Sequence, residues 1–399
     1  MNTSTSVAPI LSSEVDIQSI LLNYSFANEF SFALWRLPNN SSRHLILSRQ
    51  QELLKKGSQL EDLPTGFIFS PFDRNKDSIF LKADLTFSFD EDLIKTPETP
   101  LEINSSAWLN EELKKTSKPK IKFRPAPEFT EEKSKSNFMD LVTRGIGLIE
   151  SGNAEKVVLS RVRRIHVSRD FDIISVFQKL CKEHPNALVS VVHIPDHGTW
   201  IGATPETLVS VEDKTIFKTV ALAGTKSYEE GLSLKNVAWT QKEIEEQALV
   251  ERYIISCFKK IRLREYDEHG PKTSVAGNLM HLRSEFTVDM KATNFPQLGS
   301  VMLQLLHPTS AVCGMPLDVA LDFLKNNEGY DREFYSGYLG PVNFNRNINI
   351  FVNLRCMQLF ENVALLYAGA GITIDSTPEQ EWDETEIKFN TLLRTVANS

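Results

Sequence analysis

Between residues 187 and 221 four apolar segments, at 187–193, 199–203, 207–212 and 214–221, follow one another with only short polar turns between them. None of these connections could hold a crossover helix, so the strands must run antiparallel. Nothing else in the chain restricts its architecture as much.

The flanking segments supply helices. Residues 138–151 are amphipathic through Met139, Leu141, Val142, Ile146 and Leu148, and Ser151-Gly152 closes them. A strand at 156–167 and a helix at 173–184 follow. The helix at 240–260 buries Val250, Tyr253, Ile254, Cys257 and Phe258. A last helix begins at Thr377-Pro378, a good N-cap and first position, with Gln380 placed for a capping box and Phe389, Leu392, Leu393 and Val396 as its buried stripe. In the first third, strands at 31–36, 44–48 and 66–85 surround a helical piece at 50–56, and 96–136, rich in Lys, Pro, Glu and Ser, reads as a connecting arm. The expected fold is α/β of the α+β type, with large antiparallel β-sheets flanked by helices.

With 399 residues, 41% hydrophobic and 24% charged, the chain can bury a sizeable core. A net charge of −8 argues against nucleic acid or an anionic membrane as partner. Cys181, Cys257, Cys313 and Cys356 lack metal-type spacing and read as reduced core residues. The polar start has no basic and apolar signal pattern, and no apolar run is long enough to span a membrane, so a cytoplasmic location is expected.

Several residues could carry chemistry. Lys156 opens a strand on the face of Val158, Ser160 and Val162. It is either a solvated edge lysine or, on a buried face, a base whose ammonium form is disfavoured. Glu206 in Thr204-Pro205-Glu206 is either a turn glutamate or, if shielded, an acid. Glu243 and Glu246 extend the buried line of their helix, and buried carboxylates need partners: either a solvated first turn favoured by the helix dipole, or a metal shared with Glu384. Oxygen-only ligation from few carboxylates would suit Mg²⁺. Glu381, Glu384 and Lys388 share one helix face, either as a surface ion pair or as a site next to the glycine-lined run Ala368-Gly369-Ala370-Gly371. Arg355 lies in an otherwise apolar strand and needs either a core salt bridge or a bound carboxylate.

These segments resemble the chorismate-utilising enzymes, the family of isochorismate, salicylate, anthranilate and aminodeoxychorismate synthases. The motifs occur in the family's order over residues 137–397: Lys-Val-Val-Leu-Ser-Arg from Lys156, Thr-Pro-Glu at Glu206, Ala-Gly-Thr at Ala223–Thr225, Lys-Glu-x-x-Glu at 242–246, His-Pro-Thr-x-Ala-Val-x-Gly from His307, Tyr-x-Gly-x-x-Gly from Tyr335, and the terminal Ala-Gly-Ala-Gly block. The resemblance implies that residues 1–136 form the fold's variable N-terminal part and 137–397 its catalytic core. It also implies Mg²⁺ held by Glu246 and Glu384, with Glu243 and Glu381 close by. It places Tyr335, Arg355 and Lys388 on a substrate carboxylate, with Ala223, Gly224, Thr225, His281, Ala311, Val312, Gly369, Ala370 and Gly371 lining the site. Lys156 matches the base that activates water, and Glu206 the acid at the departing C4 hydroxyl.

Within the family, Lys156 separates the chain from ammonia-using members. Ala223 stands where aminodeoxychorismate synthases carry a nucleophilic lysine, and Ala311 where the other branches carry threonine. The implied activity is the Mg²⁺-dependent, reversible conversion of chorismate to isochorismate, serving menaquinone or siderophore biosynthesis. Salicylate synthase and anthranilate synthase component I are the alternatives. A monomer with no obligatory glutaminase subunit is expected. Gln247 and Lys226 depart from the family's usual histidine and arginine.

Overall fold

The structure, a computed structural model, describes residues 14–90, 93–95, 123–126, 135–168, 171–228, 233–234, 237–276 and 279–397. Its strands form two sheets. The ten-stranded sheet runs β15 (Gly314–Met315), β8 (Lys156–His166), β19 (Val363–Ile372), β18 (Cys356–Phe360), β10 (Gly198–Thr204), β9 (Leu188–Ile194), β1 (Ser31–Arg36), β2 (Arg43–Ser48), β6 (Leu85–Asp90) and β7 (Leu93–Lys95). The nine-stranded sheet runs β13 (Asp267–Ala276), β14 (Leu279–Asp289), β12 (Ile216–Ser227), β11 (Thr207–Glu212), β17 (Ile348–Val352), β16 (Tyr338–Val342), β4 (Gly66–Ser70), β5 (Ser78–Lys82) and β3 (Gln51–Leu54). Neighbours pair antiparallel throughout, as the short turns required. The β11–β12 turn places both Asp213 and Lys214 at positive φ, the twist that suits a tight hairpin.

Around the sheets lie α1 (Glu14–Ala27), α2 (Lys135–Glu150), α3 (Ile173–Glu183), α4 (Gln241–Lys260), α5 (Leu298–Leu306), α6 (Leu317–Asn327) and α7 (Pro378–Ala397). Strand alternation sorts the core into layers. In β1, Ala33 and Trp35 join Phe67, Phe69, Trp200 and Phe351 in a cluster fed by both sheets. The alternate residues Phe32 and Leu34 pack with Ile17 and Leu21 of α1, Phe177 of α3 and Phe389 of α7. Ile68, Phe217 and Phe286 of the nine-stranded sheet pack on Phe138 of α2, Ile254 of α4 and Met302 of α5. Strands buried on both faces explain the nearly unbroken apolar runs; each large side chain so buried contributes about 1.5–3 kcal/mol.

Three expectations are corrected. Residues 50–56 are not helical: Gln51–Leu54 is an edge strand hydrogen bonded along β5, whose free backbone edge wins over local preference. Helix α1, not expected from the sequence, packs Ile17 and Leu21 against Phe32 and Leu34 of β1. The segments at 199–203 and 207–212 are not paired with each other: the chain leaves one sheet for the other at Pro205-Glu206, where proline cannot continue the ladder. The connecting arm lies outside the described residues apart from 123–126, Lys135 and Ser136. Among the described residues no helix is long and apolar enough to cross a membrane. The four cysteines are free, and Cys257, Cys313 and Cys356 are buried.

Candidate active site

The chain also crosses between sheets from β17 to β18, and Arg355 stands on that crossing with φ +47. It is therefore not inside a strand, as the sequence suggested, but at a turning point. Both crossings border one cavity, together with the irregular stretch of β12 after Ala223, the last residues of β19 and the facing helices α4 and α7. The cavity brings together Glu206, Ala223, Gly224, Glu246, His281, Ala311, Val312, Tyr335, Arg355, Gly369, Gly371, Glu384 and Lys388.

Lys156 lies just behind this wall, 1% exposed, and its Nζ donates to Glu246 Oε1 at 2.8 Å. The solvated-edge reading of this lysine is excluded. Gly371 makes room for it: a Cβ there would come within 2.8 Å of Lys156 Cε and 3.2 Å of Nζ. Gly369 does the same for Tyr335, whose hydroxyl would be 3.0 Å from such a Cβ. The glycines thus admit the chain's own functional groups. Ala370, between them in the strand, faces the core instead.

Burial works to raise the Glu246 carboxyl, but Lys156, Lys388 and Lys242 outweigh it and hold it below its ordinary value. At Glu206 burial prevails: its carboxyl is pushed up to about 7 against the pull of Lys156, Arg355 and Lys388. Burial draws the Arg355 guanidinium below its ordinary value, and its Nη1 is buried without a hydrogen-bond partner. No core salt bridge to Arg355 is present among the described residues. His281 is pulled down to about 4 by burial and by Arg355, and its Nδ1 is 2.8 Å from the carbonyl of Gly224. The His281 ring is therefore neutral near pH 7.

Lys388 donates to the carbonyl of Gly369 at 2.7 Å and to Glu384 Oε1 at 2.5 Å. Glu381, 1% exposed, does not line the cavity; Lys242 pairs with it at 3.2 Å. Burial and then Glu384 raise its carboxyl above the ordinary value, against Ser376 and Lys242. Glu243 is taken up by the capping box of α4, accepting from the Thr240 amide at 2.7 Å. Ala370 is not among the lining residues, and the side chain of Thr225 lies outside the described residues.

Among the described residues no three His, Cys, Asp or Glu side chains are gathered as a metal cluster. The donor set nonetheless fits Mg²⁺: Glu246 and Glu384 open on one cavity from two helices, and magnesium takes few carboxylates, completing its shell with water and an anionic ligand.

Val158, Pro205, Ser336, Leu354 and Tyr367 also line the cavity and were not singled out from the sequence. Tyr367 was within reach, since strand alternation groups it with Gly369 and Gly371. It stacks on Tyr335 at 5.1 Å between ring centroids.

The chain matches the family described as "Chorismate binding enzyme" over residues 69–397, reaching back well beyond the first recognisable motif. It is 30% identical to isochorismate synthase EntC of Escherichia coli (strain K12) over 263 residues, 65% of this chain and 66% of that one, just under two thirds of the relative's length. The crystal structure of the putative 2,3-dihydroxybenzoate-specific isochorismate synthase DhbC of Bacillus anthracis has a similar fold, with TM-score 0.73 and 23% identity over 96% of this chain and all of that one (100%). MenF, the menaquinone-specific isochorismate synthase of Escherichia coli, gives TM-score 0.71 and 22% identity over 94% of this chain and 90% of its own. The chain belongs to the chorismate-binding enzyme family.

Proposed function

We propose that the protein is an isochorismate synthase, converting chorismate reversibly to isochorismate. The observation that carries this reading is a buried lysine, Lys156, held behind the wall of a cavity that Glu206 lines, with burial pushing the Glu206 carboxyl up to about 7. Water is a poor nucleophile at neutral pH, so its attack on C2 of the ring needs a base to take its proton. Lys156 would take that proton. As the C2–O bond forms, the ring double bonds shift and the C4–O bond breaks. Glu206 gives its proton to the departing hydroxyl, which leaves as water, and Lys156 ends as ammonium. A carboxyl poised near neutrality serves this task in both directions.

Arg355 would offer its half-buried guanidinium to a substrate carboxylate, with Lys388 and Tyr335 lining the same cavity. Mg²⁺, held by Glu246 and Glu384, would neutralise these carboxylates, anchor the ring carboxylate and compete with Lys156 for Glu246. Ala223 stands where aminodeoxychorismate synthases carry a nucleophilic lysine, and Ala311 where the lyase and amination branches carry threonine, which supports the isomerase over salicylate or anthranilate formation. Incubation of the full chain with chorismate and Mg²⁺, with products identified by NMR, tests the reading. Isochorismate in equilibrium with chorismate is expected. Salicylate with pyruvate, or anthranilate when ammonia is added, as the main product would overturn it.

A further inference from the structure

A second cavity, of about 240 Å³, lies between β3, β4, β5 and α5, apart from the catalytic one. An apolar cavity of roughly 150 Å³ already admits benzene, so this one has room for a substituted ring. Its walls are Leu54, Leu60, Ile68 and Leu303. The polar end is built: Ser78 Oγ donates to Ser70 Oγ at 2.8 Å and lies 2.9 Å from the Tyr338 hydroxyl. The His307 ring stands edge-on to Tyr338 at 4.8 Å.

The charge of the lining is unlike that of the chain. Against a net charge of −8 overall, Lys55, Lys56, Arg74 and Lys76 stand here with Asp77 as the only lining carboxylate among the described residues. Arg74 and Lys76 are engaged by Asp318 at 2.8 Å and Asp331 at 2.5 Å. Lys55 and Lys56 have no ion-pair partner among the described residues. Such a local excess of cations attracts an anion even on an acidic protein.

The cavity also touches the catalytic machinery through the backbone. His307 lines the second cavity and Ala311 and Val312 the first, on one short segment; Tyr338 lines the second and Tyr335 and Ser336 the first, on another. Gly337 between them is locked against β4, since a Cβ there would meet the Ser70 carbonyl oxygen at 2.0 Å. Lys76 is tied to Asp331, and the next residue, Arg332, donates to the carbonyls of Val158 and Val312 in the catalytic wall. A displacement at either segment is therefore passed on rather than absorbed.

We propose that this second cavity binds a small aromatic carboxylate and that its occupancy alters chorismate binding through residues 307–312 and 335–338. The ring would lie on the leucine and isoleucine wall, and the carboxylate would face Lys55 and Lys56.

Benzoate is the probe, with benzyl alcohol as its uncharged counterpart, titrated into the full chain by ligand-detected NMR. Benzoate is expected to bind with a Kd on the order of 1 mM, as suits so small a ligand, and benzyl alcohol at least about tenfold more weakly. Lys55→Glu/Lys56→Glu should weaken benzoate about tenfold while leaving turnover of chorismate without benzoate within about twofold. Arg355→Ala, which disables the catalytic anion site, should leave benzoate binding within about twofold. In the unsubstituted protein benzoate should shift KM for chorismate by about threefold or more, an effect lost in the double lysine variant. Because binding is read directly, its failure is distinct from a failure of the proposed activity. No benzoate binding up to about 10 mM would overturn the proposal. So would binding that vanishes in Arg355→Ala and survives in the lysine variant, or binding that leaves both KM and kcat unchanged.

Discussion

Glu206 and Arg355 stand on two sheet crossings that are hydrogen bonded to each other: the Val352 amide donates to the carbonyl of Glu206 at 2.9 Å, and the Ala203 amide to the carbonyl of Arg355 at 3.0 Å. Thr204 Oγ1 adds a bond to the Val352 carbonyl at 2.6 Å. Where both chains leave their sheets, ladder bonds end and side chains can turn inward. The acid and the carboxylate-binding cation are thus fixed relative to each other by backbone, which a loop could not do as rigidly.

Arg355 stores part of its binding capacity as a half-buried, under-satisfied charge whose Nη1 is enclosed without a partner. Arg355→Met removes that burden, so the unliganded protein should gain about 1 kcal/mol, seen as a Tm rise of roughly 1–3 °C. KM for chorismate should rise about 100-fold with a smaller change in kcat. Thermal melts and steady-state kinetics on the same preparation check both halves, and an unchanged KM would remove Arg355 from the substrate site.

Glu206 must be protonated to act as the acid, so kcat/KM should fall as pH rises through about 7. Glu206→Gln should cost about 10²- to 10⁴-fold and abolish that alkaline limb. The same group makes stability depend on pH. Its folded pKa is raised, so its contribution is full below about 4.5 and is lost as pH climbs through about 7. Urea titrations should therefore show the unsubstituted protein losing on the order of 2 kcal/mol relative to Glu206→Gln between pH 4.5 and 8. A constant difference between the two would show that Glu206 titrates normally.

How much of this was open to reading depended on the range of the interaction. Antiparallel pairing followed from short turns, whereas alternation with Val158, Ser160 and Val162 left Lys156 open between a solvated edge and a buried face, and packing in the fold decides for burial. The helix-borne pair Glu384 and Lys388 followed from i, i+4 spacing. The two crossings did not: Pro205 announces the end of a strand but not which sheet receives the next one. Arg355 accordingly looked like a strand residue. Gln51–Leu54 is a strand because β5 offers it an edge from outside its own sequence. Glu243 pointed along the buried line of α4, yet capping the helix with Thr240 claims its carboxylate first.

Gly371 permits the Lys156 to Glu246 contact. Gly371→Ala would put a methyl 2.8 Å from Lys156 Cε, and because that lysine is 1% exposed its end has no open space to move into. The ammonium should shift and kcat fall about 100-fold, with a stability loss of only about 1–2 kcal/mol. Gly147→Ala serves as the contrast, since a Cβ there meets nothing within 4 Å on α2, and it should stabilise by about 0.5–1 kcal/mol with kcat unchanged. Normal kcat in Gly371→Ala would show that the position of Lys156 does not limit turnover.

Arg332 separates support of the cavity wall from plain stability. It pairs with Glu328 at 2.5 Å, both side chains being 2–3% exposed, and it also holds the carbonyls of Val158 and Val312 at 2.7 and 2.8 Å. Arg332→Met would leave the Glu328 carboxylate buried with the Ser160 amide and hydroxyl, costing about 3–5 kcal/mol. Adding Glu328→Gln removes the stranded charge and should restore at least about 1–2 kcal/mol of that loss. The two carbonyls stay unanchored in the double variant, so KM for chorismate should remain raised by about tenfold while stability recovers. Recovery of stability together with a wild-type KM would mean that the network only fills the core and does not position the Val158 and Val312 wall.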